Sequence, residues 1–331
     1  MSARGGAERS SECALIARHF APLAGEGAHG LADDAASLTP SSGHDLVLTA
    51  DAIVAGVHYL PDDPPASVAR KALGVNLSDL AAKGATPRGF LLTLALPDDW
   101  TEDWLGGFAQ GLAEGIAAFG CPLLGGDTVR AAGPMLVGVT ALGEVPSGGM
   151  VPRMAARVGD RLCVSGTIGD GALGLRVRRG SMPSLEAGHR AFLIDRYRHP
   201  RPRLALAPVL RRHARAAMDV SDGLAGDLAK MLAGGGRSAL VSAADVPLSP
   251  AARDALAAEP GLIDTILTGG DDYEILCAVP PDALDEALAE ARAAGVPLSA
   301  IGTVVAGEDA PAFRMPDGRE RRFASGSFSH F

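Results

Sequence analysis

The stretch Gly74-Val-Asn-Leu-Ser-Asp-Leu-Ala-Ala-Lys-Gly-Ala85 constrains the chain more than any other. Read as a helix, it sets Asn76, Asp79 and Lys83 on one polar stripe, because residues three and four apart share a face. Val75, Leu77 and Leu80 leave the other faces apolar. A carboxylate in such an Ala-rich helix is costly to bury alone. Asp79 therefore pairs with Lys83 or stays solvated, or else it faces a cation gathered by acids from elsewhere in the chain.

Other acids fall in a pattern that favours the last of these. Asp33, Asp51, Asp127 and Asp219, like Asp79, each fall at an expected strand end, glycine turn or helix face, among small residues. Any one of them reads equally well as a turn former or helix cap. As a set, oxygen donors spread over separate elements suit a hard cation such as Mg²⁺, which keeps several of its waters. Cations held this way bridge nucleotide phosphates and neutralise charge during transfer. The chain has no Walker A pattern, no Gly-x-Gly-x-x-Gly with a partnered acid and no kinase catalytic-loop signature. An ATP enzyme built from these residues uses another scaffold.

With 331 residues, the chain is long enough for two domains with substantial cores. A hydrophobic share of 47% and a charged share of 21% place it among ordinary globular proteins. A net charge of -9 argues against a nucleic-acid partner and agrees with an acidic metal site. Cys13, Cys121, Cys163 and Cys277 show no Cys-x-x-Cys spacing, so they read as buried thiols in a reducing compartment. The first residues lack the apolar core of a signal peptide, and no stretch is long enough to span a membrane. A cytoplasmic protein without a membrane partner is expected.

Local patterning predicts helices over 11–20, from Pro65–Ser67 to Gly84 with Ser67 as cap, over 100–119 and over 281–294. Strands are expected at 45–51, 90–96, 135–142, 160–165, 238–246 and 273–279. Residues 121–128 read as a short strand broken by a Gly-Gly turn that delivers Asp127. Gly166–Gly171 reads as a loop opening a helix, and 176–203 as an irregular connector with a short helix. Residues 217–224 read as a strand passing into a helix capped by Ser221 or Asp222. The whole reads as a two-lobed α/β (α+β) protein: a mixed-sheet domain with the acidic cluster over 1–150, and an α+β domain over 151–331.

Seven motifs, in order, resemble the thiamine-monophosphate kinase family. They are Asp33-Asp34, Thr49-Ala-Asp51, Val54-Ala-Gly-Val-His58, Asn76 through Ala85, Leu124-Gly-Gly-Asp-Thr128, Asp219-Val-Ser-Asp-Gly-Leu224 and Gly269-Gly-Asp-Asp-Tyr-Glu274. Each is modest alone; together they cover nearly the whole chain. The resemblance places it in the superfamily of ATP-binding proteins similar to aminoimidazole ribonucleotide synthetase. It implies a homodimer whose N-terminal half carries the metal cluster and dimer contacts, and ATP-dependent conversion of thiamine monophosphate to thiamine diphosphate without a phosphoenzyme.

Carried over position by position, the resemblance makes Asp33, Thr49, Asp51, Asp79, Asp127, Asp219 and Asp222 magnesium positions, with Asp51, Asp79 and Asp127 central to catalysis. Gly126, Asp127, Arg153 and Ser221 fall at the nucleotide, and His58, Asp271 and Phe328 on the substrate side, where an aromatic face suits the thiazolium cation. Three residues depart from the pattern. Ala50 stands where Thr or Ser is expected, leaving only a backbone carbonyl for the metal; Asp271 replaces Glu; Ser329 replaces Asp. A phosphate oxygen is already ionised at neutral pH, so His58 is not assigned as a general base. Two alternatives stay open: a sister enzyme of the superfamily with another acceptor, and a non-catalytic nucleotide- or metal-binding regulator.

Overall fold

The computed structural model describes residues 11–182 and 184–323. Helix α1 (Glu12–Leu15), capped by Ser11, passes into a π-helical turn at Ile16–Phe20. Strand β1 (His44–Val54), α2 (Pro65–Ala82), β2 (Thr86–Leu96), α3 (Glu102–Phe119), β3 (Leu123–Arg130) and β4 (Leu136–Pro146) follow. The second half contains β5 (Arg161–Ser165), α4 (Asp170–Arg178), α5 (Ala187–Arg198), α6 (Ala207–His213), β6 (Ala216–Asp219), α7 (Leu224–Leu232) and β7 (Arg237–Ser242). It ends with α8 (Pro250–Ala258), α9 (Leu262–Thr268), β8 (Ile275–Val279), α10 (Leu284–Ala293), β9 (Leu298–Ala306), β10 (Ala312–Arg314) and β11 (Glu320–Arg321). The described chain forms two compact units. The first takes residues 11–42, 48–76 and 87–144; the second takes 43–47, 77–86 and the described residues from 145 on.

The first unit holds most of a four-stranded sheet ordered β1-β4-β2-β3, with β2 and β3 parallel. Along β2, Leu92, Leu94 and Leu96 are buried while Leu91 and Thr93 are exposed, the period-2 pattern of a sheet with one covered face. Helix α3 starts at Thr101, whose side chain accepts the Trp104 N–H, and stops at Gly120 in the left-handed region. It approaches α2 so closely that a Cβ on Gly111 would lie 2.4 Å from the Ala66 carbonyl oxygen.

The second unit is built on a seven-stranded sheet ordered β11-β10-β7-β9-β5-β8-β6, mixed because β10 and β7 run parallel while the other pairs are antiparallel. Both faces are covered, which explains why β8 is apolar at every position. Leu162, Val164, Leu276 and Ala278 join one core with Leu173, Leu193, Leu228 and Ile266. Cys163, Ile275, Cys277 and Val279 point the other way, toward Leu210, Ala287 and Ala291 and toward Ala81 and Ala82 of α2. Cys121, Cys163 and Cys277 are buried thiols, while Cys13 is exposed, contrary to the expectation that all four are buried. Among the described residues no helix is long and apolar enough to cross a membrane.

Three local expectations are corrected. β3 does not break at Gly125-Gly126 but runs through both, and Asp127 pairs in register with Thr93. The glycine serves close approach instead: a Cβ on Gly126 would sit 1.8 Å from the Leu92 carbonyl oxygen. Ser67 is not the cap of α2, because the helix already starts at Pro65, a residue suited to the first helical position. The helix within 176–203 is the 12-residue α5 rather than a short one. Sequence patterning also does not single out α8, α9 or β9–β11, several of which are too short to show a period.

Two glycines of α3 make a test with opposite signs. At Gly106 an added methyl meets nothing closer than 3.8 Å, so Gly106→Ala should stabilise by about 0.5–1 kcal/mol through helix propensity. Gly111→Ala should destabilise by about 1–3 kcal/mol through overpacking. Urea midpoints of the two variants check both signs.

Candidate active site

In the second unit, three glycine-containing loops far apart in sequence are joined by hydrogen bonds, two of the loops by backbone and the third through a carboxylate. Strand β6 delivers Asp219, 7% exposed, and the chain turns through Val220–Gly223 into α7. The Asp271 N–H donates to the Ser221 carbonyl (2.8 Å), and the Tyr273 N–H to that of Val220 (2.8 Å). Gly270 packs on the same turn: a Cβ there would lie 2.1 Å from the Ser221 carbonyl oxygen. The third loop joins through Asp272, whose carboxylate accepts the N–H groups of Gly169 (2.7 Å) and Gly171 (3.1 Å) at the start of α4.

The expected cap of α7 is also corrected. Gly223 occupies the cap position, with φ +116, and neither Ser221 nor Asp222 caps with its side chain. Asp227 in the first turn takes that role, its Oδ2 accepting the Ser221 (3.0 Å) and Asp222 (2.9 Å) N–H groups. Lys230 donates to Asp227 Oδ1 (2.9 Å) and to Asp222 Oδ2. Burial raises the Asp227 carboxyl above its ordinary range, and the hydrogen bonds from Lys230 and from the Asp222 N–H oppose that rise.

Asp271 (φ 68) and Tyr273 (φ 52) adopt the left-handed region that non-glycine residues seldom enter. The Tyr273 hydroxyl donates to Asp271 Oδ1 at 3.1 Å. Beneath them Glu274, fully buried, accepts from Ser165 Oγ (2.6 Å), Arg196 Nη2 (2.8 Å) and Arg203 Nε (2.7 Å). Backbone strain is thus concentrated beside a fixed charge network.

Helix α2 carries the next group. Asp79 and Lys83 are half-buried, and the Lys83 ammonium donates to the Ala217 carbonyl at 2.6 Å. Burial lowers the Lys83 pKa, the charges of Asp219 and Asp79 raise it, and Arg153 adds to the lowering. Lys83 thus lies in the field of both acids, not of Asp79 alone. Arg153 is exposed.

In the first unit, the Asp51 N–H donates to Asn76 Oδ1 (2.9 Å), and the Asn76 amide donates back to Ala72 (2.9 Å), so fully buried Asn76 fastens β1 to α2. Thr49 is half-buried on β1, while Ala50 and Asp51 are exposed. His58 is turned inward, its Nδ1 accepting the Val54 N–H at 3.0 Å. That bond makes it a loop brace. Asp127 is exposed on the same sheet face as Thr93, next to Gly126. Asp33 lies in an exposed turn, its Oδ1 accepting the Asp34 N–H (2.7 Å). Phe328 lies outside the described residues.

Residues 32–145 match the family model of the AIR synthase related protein N-terminal domain, and 157–312 that of its C-terminal domain. The thiamine-monophosphate kinase of Caulobacter vibrioides is 44% identical over 286 residues, covering 86% of this chain and 80% of that protein. The chain belongs to the thiamine-monophosphate kinases. The crystal structure of the kinase from Stenotrophomonas maltophilia is similar with a TM-score of 0.79, at 37% identity, covering 88% of this chain and 91% of that one. A structure described as AaThiL complexed with AMPPCP and TMP gives 0.78 at 28% identity, covering 90% and 91%.

For a thiamine-monophosphate kinase, the side chains expected at the metal are oxygen donors, the chemistry a hard cation prefers, with no thiolate or imidazole among them. Among the described residues, three ligand atoms lie within 4.8 Å of one another only at His213, Glu286 and Glu290, a set that contains none of the expected acids. Asp227 and Arg196 lie outside the motifs, and Asp272 lies inside the seventh with no role assigned to it. Asp227 left a trace of another kind, as an acid in the first turn of a helix that follows glycine.

Because Asp227 is the acceptor for two loop N–H groups, Asp227→Ala should lower stability by about 1–3 kcal/mol. It should also weaken binding of a non-hydrolysable ATP analogue. Urea denaturation and calorimetric titration check the two effects separately.

Proposed function

We propose that this chain phosphorylates thiamine monophosphate to thiamine diphosphate with ATP, by direct in-line transfer within a ternary complex. Membership of the thiamine-monophosphate kinases supports the reaction. The observation that carries the site is the joining of the loops 166–171, 219–224 and 269–274 through Ser221, Asp271 and Asp272. It brings Asp219, Asp222 and Asp271 onto one structure, as metal binding requires.

Mg²⁺ is the proposed cofactor, with Asp33, Thr49, the Ala50 carbonyl, Asp51, Asp79, Asp127, Asp219 and Asp222 as its donors. Bound there, it would neutralise phosphate charge during the transfer. The chain's own groups orient the reactants. Gly126, Asp127, Arg153 and Ser221 are assigned to the nucleotide, with the Arg153 guanidinium suited to a phosphate. His58, Asp271 and Phe328 are assigned to the acceptor side, His58 with its Nδ1 held by the Val54 N–H. The attacking oxygen carries its own charge, so no side chain has to remove a proton. The coordinated acids are poor nucleophiles, which disfavours a covalent route. Initial-rate plots should intersect, and chiral phosphate should emerge inverted. Asp79→Asn should abolish turnover with the fold intact; parallel plots with retention, or wild-type rates for that variant, would overturn the reading.

We also infer a homodimer, with 1–150 as the nucleotide, metal and dimer domain and 151–331 as the α+β domain. Asp51 and Asp127 lie on β1 and β3, the two edges of the four-stranded sheet. Three steps of about 4.8 Å across a flat sheet would separate them by roughly 14 Å. For both to share ions, the sheet must curl or a second copy must supply an acid. The strands of this sheet also expose Leu48 (62%), Leu91 (39%) and Val129 (44%), apolar side chains suited to a copy of itself. Sedimentation velocity should give a dimer for the wild type and a shift toward monomer for Leu48→Asp; a wild-type monomer at assay concentration would end this inference.

A further inference from the structure

Helices α6 and α10 pack together in the second unit, and at their contact three side chains face one another: His213, from the last turn of α6, and Glu286 and Glu290, one turn apart on α10. Their ligand atoms all lie within 4.8 Å of one another. The spacing of four residues places both carboxylates on the same face of α10. Two glutamates on a helix surface would mean little by themselves. The informative group is His213, whose side chain is only 6% exposed.

Its Nε2 is buried and lacks a hydrogen-bond partner, although it lies 3.2 Å from Glu290 Oε2. The contact has the distance of a hydrogen bond without its direction. A buried imidazole nitrogen left in this way is costly, unless something else takes its lone pair. Two ligands on a tetrahedral Zn²⁺, with metal–ligand bonds of about 2.0–2.2 Å, stand about 3.3 Å apart. The separation of Nε2 from Oε2 fits that arrangement. The other oxygen of Glu290 is held by Arg212, which fixes the carboxylate and leaves Oε2 facing His213.

We propose that His213, Glu286 and Glu290 form a binding site for a divalent transition metal of the Zn²⁺ class, separate from the acids assigned to Mg²⁺. One imidazole and two carboxylates supply three ligands, and a water would complete the set from the side of Glu286, which is exposed. Imidazole selects Zn²⁺ and its neighbours over Mg²⁺, which prefers oxygen alone. The ion would clamp α10 to α6, three residues ahead of the strand that carries Asp219. Its role is therefore structural.

The test uses the full chain, stripped with chelator and held in millimolar Mg²⁺ so that oxygen-only sites are filled. Co²⁺ is titrated as a coloured probe, followed by Zn²⁺ as competitor. The expected result is saturable binding of one ion with a low-symmetry Co²⁺ spectrum that Zn²⁺ abolishes. His213→Gln and Glu286→Gln should each weaken binding roughly tenfold or more, the least expected for losing a direct ligand, and leave the Mg²⁺-supported kinase rate unchanged. Glu286 is exposed, so its variant decides the matter if His213→Gln fails to fold. Absence of saturable binding, or affinity that Glu286→Gln does not reduce, would overturn the proposal.

Discussion

A single buried carboxylate organises the second unit. Glu274 has no exposed surface, and removing a charge from water costs several kcal/mol unless partners replace the lost solvation. Three of them come from distant parts of the sequence: Ser165 at the end of β5, Arg196 on α5, and Arg203 after it. The Glu274 backbone carbonyl accepts the Val220 N–H (2.8 Å), and Ser165 Oγ accepts the Ile275 N–H (2.8 Å). The solvation of one charge thus fixes where β5, α5, β8 and the loop after β6 meet. Loss of one guanidinium would leave that charge underpaired, the kind of change that costs about 3–5 kcal/mol.

This anchoring accounts for the strained segment next to it. Left-handed Asp271 and Tyr273 each cost of order 1–3 kcal/mol and persist only where surroundings over-determine them. Here the surroundings are Glu274 on one side and Asp272 on the other. Asp272 is buried too, and desolvation pushes its pKa well above the ordinary carboxylate range; Asp170 adds to the rise, while the N–H groups of Gly169 and Gly171 oppose it. Such a carboxyl favours the fold most when protonated, and that contribution fades as pH rises from its unfolded pKa toward the raised folded one.

Much of this was readable from residue order alone. The helix around Asp79 was, because its apolar faces and closing glycine leave few other conformations. The placing of Asp51, Asp127 and Asp219 on or beside strands was readable too, since Asp among small residues is conspicuous. What escaped was long-range. Nothing local says that Gly270 must lie against Ser221, or that Asp272 holds the start of α4, because these contacts span 49 and 101 residues and leave no period. Gly125-Gly126 misled for a related reason: the pair reads as a turn, but it serves the approach of a neighbouring strand that sequence cannot see.

The chain passes between its two compact units at 42/43, 47/48, 76/77, 86/87 and 144/145. Helix α2 is itself divided, with Asn76 in the first and Ala81 and Ala82 in the core of the second. A gene fragment cut anywhere near the middle would therefore not release a self-sufficient piece. The severed second half would lack Ala81, Ala82 and the Lys83 ammonium, leaving a hole beside Leu210 and Cys277 and the Ala217 carbonyl without its donor. Recombination that exchanges halves between distant relatives has to carry residues 43–47 and 77–86 with the second half, although they are encoded in the first.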